Sequence, residues 1–173
     1  MIRPIIRMAS CMLSAVLMLT GCSFPRPMQP SSISCPTSDR IMTVDDFRKV
    51  MKQNSFPVIN TISLKDNNEY RHVRSGIKAD MPEKYAFSYY ILDSKNTAKS
   101  FYALQKQEIQ KSYDSNESFI AVSERKMDNY ADYTNDINDR YYRVICRDNA
   151  VLVVSSKKDY QKTVNKIIDR LGM

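Results

Sequence analysis

The chain is poor in histidine, the side chain that most often acts as a general base in enzymes. Its only histidine is His72, which lies in a polar segment close to Arg71 and Arg74. A hydrolase that needs an imidazole base would have to use this residue, and no Gly-x-Ser-x-Gly sequence marks a nucleophile for it. A histidine in such a segment is more often a plain surface residue. The sequence therefore assigns no catalytic residue, and it favours a non-enzymatic protein without deciding the question.

One polar run is the nearest approach to a metal site, with aspartates at Asp128, Asp132, Asp136 and Asp139 and asparagines between them. Oxygen ligands suit calcium. The spacing departs from Asp-x-Asp-x-Asp-Gly, however, and both the turn glycine and the closing glutamate are missing. A solvated turn between two strands explains the run without an ion, so we predict no metal site.

Glycines are too scarce for a phosphate-binding loop. The chain has three, Gly21, Gly76 and Gly172, whereas such a loop needs several so that backbone amides can approach the ligand. The sequence also lacks the mixed aromatic and basic pattern of RNA-binding domains. We predict no nucleotide cofactor and no nucleic-acid partner.

The most specific chemistry in the sequence belongs to Cys22. Arg3 and Arg7 give a positive start, residues 8–19 form an uncharged and mostly apolar run, and small residues precede the cysteine. This is the plan of a secretory signal. The apolar core has about twelve residues, whereas a membrane-spanning helix needs about 20. A cleaved signal is therefore a better interpretation than a permanent span.

The sequence Leu-Thr-Gly-Cys ending at Cys22 resembles the lipobox of bacterial lipoproteins. The resemblance implies a diacylglycerol, a lipid with fatty acyl chains such as palmitate, on the Cys22 thiol, and cleavage just before that residue. Residues 1–21 would then be a removed signal peptide, and the protein would be anchored to the cell membrane, facing outside the cytoplasm. The alternative is an ordinary secretory signal with an incidental cysteine.

Removal of residues 1–21 leaves 152 residues, enough for one domain. Residues 22–40 read as the lipidated cysteine and a Pro/Ser-rich tether that cannot bury enough surface to fold, and residues 41–173 as a single domain. Loss of Arg3 and Arg7 lowers the formal net charge from +7 to +5. This excess fits a solvated basic surface or attraction to anionic headgroups and wall polymers.

Two cysteines, Cys35 and Cys146, lie outside the signal and the lipid site. In an exported protein they could form a disulfide. Cys35 falls in the predicted tether, however, and Cys146 has apolar neighbours in a predicted strand, where a reduced cysteine behaves as a small hydrophobe. The sequence leaves both readings open.

The pattern of apolar residues predicts three helices. The first begins at a capping box formed by Thr43 and Asp46 and ends near Asn54. The second spans about Lys95 to Ser112 after a cap at Asp93 or Ser94. The third follows a second capping box, Ser156 to Asp159, and ends at Gly172, which suits a left-handed cap.

Alternating and β-branched segments predict strands between these helices. The predicted strands are Val58–Leu64, Tyr70–Ile77, Tyr85–Leu92, Phe119–Val122, Tyr130–Thr134, Arg140–Arg147 and Ala150–Ser155. Asp148 and Asn149 suit a tight turn that makes the last two a hairpin.

These elements predict an α+β fold, an antiparallel β-sheet with about three helices packed on one face. The adjacent pairs Tyr89–Tyr90 and Tyr141–Tyr142 would place a ring on each face of a strand, so we expect at least two rings off the core. Such rings could form a binding surface on the open face of the sheet.

Beyond the lipobox, residues 41–172 resemble small lipoproteins of Gram-positive anaerobes that have no assigned activity. The likeness is carried by Asp-Phe after the first cap, by Tyr-Ala-Phe-Ser-Tyr-Tyr-Ile-Leu-Asp-Ser with Ala98 and Phe101, and by Arg-Asp-Asn-Ala-Val-Leu-Val-Val before the last helix. It implies the layout and the location only.

The sequence supports two functional hypotheses. The first is a membrane-anchored, non-enzymatic binding or interaction module of the cell envelope, whose partner is an envelope protein or a wall polymer. The alternative is a small envelope hydrolase that acts on wall or peptide substrates through carboxylates or His72.

Overall fold

The computed structural model describes residues 40–62, 70–112 and 119–173, with side chains given for all of these except 119 and 120. The predicted signal peptide, the lipid site Cys22, Cys35 and the tether up to residue 39 lie outside these residues. None of the helices within the described residues is long and apolar enough to cross a membrane.

The main elements of the described residues are three helices, seven strands and a short 3₁₀ turn before the last helix. In chain order they are α1 (Val44–Gln53), β1 (Val58–Thr61), β2 (Val73–Met81), β3 (Tyr85–Leu92), α2 (Lys95–Lys111), β4 (Phe119–Met127), β5 (Tyr130–Ile137), β6 (Arg140–Arg147), β7 (Ala150–Lys157), the 3₁₀ turn (Lys158–Tyr160) and α3 (Gln161–Leu171). The predicted helices are all present, and β2, β4 and β5 extend beyond their predicted ends.

The seven strands form one antiparallel sheet in the order β1-β2-β3-β7-β6-β5-β4. Strands β1 to β3 form one meander and β4 to β7 another, and β3 pairs with β7, from Tyr85 opposite Ser156 to Ile91 opposite Ala150. The predicted hairpin of β6 and β7 is confirmed, with Asp148 at a φ of 52° in its turn. The predicted class, α+β with an antiparallel sheet and three helices, is confirmed.

The three helices do not share one face of the sheet, as the sequence led us to expect. Phe47 of α1 and Ile168 of α3 pack with Leu152 in one apolar core. Phe101 of α2 packs with Val151 in a second core on the opposite face. Because Val151 and Leu152 are neighbours on β7, they project to opposite faces. The central strands are apolar on both sides, and they need a helix over each.

The buried tyrosines follow from this two-sided arrangement. Tyr89 stacks on Phe47 of α1 with ring centroids 5.5 Å apart, and Tyr90 meets Phe101 of α2 edge-on at 4.9 Å. Both rings are buried, as is Tyr141. The expectation that at least two of these rings lie off the core on an open face is therefore wrong for Tyr89, Tyr90 and Tyr141, because helices cover the centre of the sheet on both sides.

Capping residues set two of the three helix starts. The Thr43 hydroxyl accepts from the Asp46 amide at 3.1 Å, and the Asp46 carboxylate accepts from the Thr43 amide at 3.0 Å, so the predicted capping box is confirmed. Ser94 caps α2 in the same way. The predicted box at Ser156 is wrong, because Ser156 is a buried residue of β7 and α3 begins five residues later, after the 3₁₀ turn.

Candidate functional site

Strand β4 forms one edge of the sheet and, within the described residues, pairs with β5 alone. Its nine residues make it longer than β1, which forms the opposite edge with four. Every β4 residue from 121 to 127 is exposed, including the apolar Val122 (53%) and Met127 (48%). A long edge strand without proline presents unpaired backbone groups and can accept a further strand.

A groove of about 390 Å³ lies beside this edge, between α2 and the first two strands of the β4–β7 meander. Its apolar wall comes from Tyr102, Ala103, Met127 and Ala131. Charged and polar side chains complete the lining, and they are Lys99, Lys106, Gln110, Glu124 and Lys126. We call the groove and the exposed side of β4 together the β4 surface.

Glu124 of β4 joins the edge strand to α2. Its carboxylate accepts from the Tyr102 hydroxyl at 3.0 Å, from Lys106 Nζ at 2.7 Å and pairs with Lys126 Nζ at 3.2 Å. Partial burial would raise the pKa of Glu124, but these hydrogen bonds outweigh it and hold the pKa below its usual value. Burial, and then the hydrogen bond to Glu124, raise the pKa of Tyr102. Glu124 is therefore ionised at neutral pH and Tyr102 is neutral.

The β4 surface carries an excess of positive charge. Lys106 and Lys126 neutralise Glu124, and Lys106 also lies 5.2 Å from the ring centroid of Tyr133. Lys99 and Arg125 are exposed and form no ion pair with another described residue. The β4 surface therefore carries four cationic side chains and one carboxylate, and it suits an acidic partner.

His72 is oriented by ionic neighbours. Its Nε2 accepts from Arg71 Nε at 3.0 Å, so Nδ1 carries the proton and points to Asp93 Oδ2 at 3.4 Å. The Arg74 hydrogen bond, together with His72, lowers the pKa of Asp93 despite desolvation. No hydroxyl or thiol of the described residues hydrogen-bonds to His72. A general base needs a free ring nitrogen beside its nucleophile, and this arrangement provides neither.

The aspartates of the polar run are not brought together as ligands. Asp132 pairs with Arg143 on β6, with Oδ1 to Nε at 2.9 Å and Oδ2 to Nη2 at 2.8 Å. Asp128 and Asp139 lie in or beside the turns that flank β5. In the described ranges, no group of three or more histidine, cysteine or acidic side chains could hold a metal ion.

The sulfur of Cys146 is buried beneath α2, with 3% of the residue's surface exposed. Burial raises the pKa of this thiol to about 11, so it is protonated at neutral pH. Cys35 lies outside the described residues, and the disulfide between Cys35 and Cys146 stays a prediction.

A second cavity, of about 340 Å³, lies between the start of α1 and the end of α3. Three arginines line it, but each is already engaged in the structure. Arg40 pairs with Asp46 at 3.2 Å, Arg147 donates to the Gly172 carbonyl, and Arg170 donates to Asn54 Oδ1 at 2.7 Å. We assign no ligand to this cavity.

The sequence did not reveal the β4 surface, because a strand exposed on both faces lacks the alternation by which strands are recognised. The predicted strand Phe119–Val122 accordingly ends before the run Ser123-Glu124-Arg125-Lys126. A signal was present in the polar, proline-free segment between Val122 and the Asp128-Asn129 turn, since charged residues are typical of exposed edges.

No family model matches the chain, and a comparison with curated proteins found no match. Function is therefore inferred from the chain's own residues.

Proposed function

We propose that the chain is a lipid-anchored binding module of the cell envelope, attached through a diacylglycerol on Cys22 and facing outside the cytoplasm. It works without a catalytic site and without a nucleotide, nucleic-acid or metal cofactor. Its partner is a component of the envelope, a protein or a wall polymer. The observation that carries the proposal is the β4 surface, an exposed nine-residue edge strand beside a groove of about 390 Å³.

The location follows from the lipobox at Leu19–Cys22, and the tether sets the reach. Residues 23–39 span about 50 Å when extended at about 3 Å per residue. Such a tether would let the domain meet partners at the membrane surface and within the adjoining wall. The two faces of the sheet are less suitable for binding, because helices cover the central strands on both sides.

Position-specific photo-cross-linking in intact cells tests this proposal. A cross-linking amino acid placed at Val122 or Met127, both exposed, should give a defined adduct with an envelope component. The same amino acid at Lys52 or Lys162, exposed on α1 and α3, serves as the matched control. Adducts of equal yield from all four positions, or none from β4, would contradict the assignment of the β4 surface.

The anchor is tested separately by Cys22→Ser. This variant should leave the membrane fraction and lose its lipid mass, because the hydroxyl cannot carry the thioether-linked diacylglycerol. A Cys35→Ser variant controls for loss of a thiol and should stay in the membrane fraction. Membrane retention of Cys22→Ser would contradict lipid anchoring.

The hydrolase hypothesis has one observation in its favour, the contact between His72 and Asp93. The hydrogen bond from Arg71 to Nε2 opposes it, because it occupies the nitrogen that would accept a substrate proton. Turnover of wall fragments by the purified domain that disappears in His72→Ala would favour the hydrolase over the binding module.

A further inference from the structure

We propose that the partner contributes an extended, acidic polypeptide segment, which pairs with β4 and adds an eighth strand to the sheet. This inference rests on the proposed function and specifies the chemistry of its partner. It joins two properties of the β4 surface, an edge backbone that pairs with β5 alone within the described residues and the cationic side chains around it.

The backbone of β4 provides the pairing groups. In an antiparallel sheet, alternate residues direct their N–H and C=O groups to opposite sides of the strand. On β4 one set bonds to β5 and the other set points outward. A strand that docks here gains main-chain hydrogen bonds for affinity, and its alternate side chains contact the surface for specificity.

A second copy of this chain is a poor occupant of the edge. In an antiparallel pair, residues that lie opposite each other project to the same face of the sheet. When two copies of β4 pair through a two-fold axis, one residue must therefore lie directly opposite the same residue of the other copy. Registers centred on Glu124, Arg125 or Lys126 place like charges together, which is destabilising. When Ser123 lies opposite its own copy, neither Arg125 nor Lys126 has an acidic residue opposite it, so this register gains no ion pair. The charged half of β4, Glu124 to Lys126, thus disfavours self-pairing, and a different chain fits this part of the edge better.

The charges around β4 select an acidic segment. Lys126 projects to the α2 face with Glu124, where Lys99 and Lys106 also line the groove. Arg125 projects to the other face of the sheet. A partner strand with acidic residues opposite Arg125 and Lys126 would pair with a cation on each face, and a small polar residue opposite Glu124 would avoid repulsion. Apolar residues opposite Val122 and Met127 complete the match.

A synthetic peptide tests this inference directly. Acetyl-Ile-Glu-Glu-Thr-Thr-Val-amide, aligned antiparallel to β4, places isoleucine opposite Met127, glutamates opposite Lys126 and Arg125, and valine opposite Val122. Titration of the ¹⁵N-labelled domain should shift β4 amide signals and slow their hydrogen exchange. The peptide with two lysines for the glutamates should bind about tenfold more weakly, because two attractive pairs become repulsive.

Two N-methylated analogues separate strand pairing from charge attraction. One carries methyl groups on residues 1, 3 and 5 of the peptide and the other on residues 2, 4 and 6. Successive amides of a strand point to opposite sides, so one analogue should lose binding and the other should retain it. Equal binding by the two analogues, or no binding by the acidic peptide, would overturn the inference.

A polyglycerol phosphate chain is the competing occupant, since it carries negative charge without backbone amides. It should displace the peptide weakly if β4 recognises a strand. If the polymer competes for β4 as well as the unlabelled acidic peptide does, compared at equal negative charge, the inference is overturned in favour of an anionic wall polymer. On the protein side, the double variant Arg125→Gln/Lys126→Gln should bind the acidic peptide about fivefold more weakly, whereas Lys162→Gln on α3 should bind unchanged.

The outcome distinguishes this inference from the proposed function. If the peptide tests fail while Val122 and Met127 still cross-link to an envelope component in cells, the partner is not an acidic strand and the binding module stands. If cross-linking also loses its dependence on position, both proposals fail.

Discussion

Replacing Asp132 by asparagine should destabilise the domain strongly, because it removes the counter-charge of a half-buried arginine. Asp132 and Arg143 bond in a bidentate pair, and their side chains are 18% and 17% exposed. Arg143 also donates to Asn165 of α3 at 3.0 Å. Burial would lower the pKa of Arg143, but the bonds to Asp132 outweigh it and raise the pKa. The guanidinium stays charged in the variant even without this carboxylate, because an arginine side chain is not deprotonated in proteins.

The expected loss in the free energy of unfolding depends on how many hydrogen bonds the asparagine amide can still accept from Arg143. Removing one partner of a buried ion pair costs about 3 to 5 kcal/mol. Asparagine keeps one acceptor oxygen for Arg143, so we expect the lower end, about 3 kcal/mol. For a domain of this size the melting temperature should fall by about 10 °C. Because Asn165 depends on the same guanidinium, the loss should be accompanied by weaker packing of α3.

Urea unfolding of Asp132→Asn, Arg143→Met and the double variant measures this effect. The double variant should be more stable than the sum of the single losses by about 2 kcal/mol, since it leaves no unpaired buried charge. Asp80→Asn, which affects the more exposed pair of Lys78 and Asp80, should cost under about 1 kcal/mol. If Asp132→Asn costs less than about 1 kcal/mol, no more than Asp80→Asn, then Asp132 is not a stabilising counter-charge for Arg143.

Three further predictions concern single buried or half-buried sites. Cys146 should react slowly with Ellman's reagent at pH 8 and rapidly after unfolding, because burial raises its pKa to about 11 and covers the thiol. Gly76→Ala should cost about 1 to 3 kcal/mol, since the new Cβ would lie 3.2 Å from the Tyr90 ring, and urea unfolding measures it. Glu124→Gln should cost about 1 kcal/mol at pH 7. The Glu124 pKa is lowered on folding, so this difference should be lost as the pH falls below about 4.5 and through the folded pKa.

Matched controls make these predictions decisive. The thiol measurement uses Cys22→Ser/Cys35→Ser, in which Cys146 is the remaining thiol of residues 22–173, and rapid native labelling would contradict the burial. Gly172→Ala adds a Cβ into open space at a φ of 67°, so it tests backbone strain alone and should cost about 1 kcal/mol. A pH-independent effect of Glu124→Gln would contradict the ionic role of that carboxylate.

Local signals in the sequence predicted most of the elements. Thr43 with Asp46, Asp148 in its turn and Gly172 at the end of α3 each act within a few residues of themselves, so the pattern alone identifies them. Ser156 matched the capping pattern equally well. It is instead buried in β7, because pairing with Tyr85 and Tyr141 continues the strand through that position. Tertiary pairing there overrides a local preference.

The arrangement of layers and the candidate surface depend on long-range pairing, which the sequence did not show. Tyr89 and Tyr90 are each compatible with an exposed or a buried ring, and only the placement of helices on both faces decides it. The exposure of β4 likewise depends on its place at the end of the strand order. The lipid site and the tether lie outside the described residues and stay predictions.

The strand order also determines how the chain can fold. Strands β1 to β3 form one meander and β4 to β7 another, and each requires only hairpin closures between neighbours in the chain. Within the described sheet, the pairing of β3 with β7 alone joins strands far apart in sequence, such as Tyr85 with Ser156. Closing this long loop is the slow, entropically costly step. We therefore expect the two meanders to form before their union along the centre of the sheet, which carries the largest loop-closure cost of the described sheet.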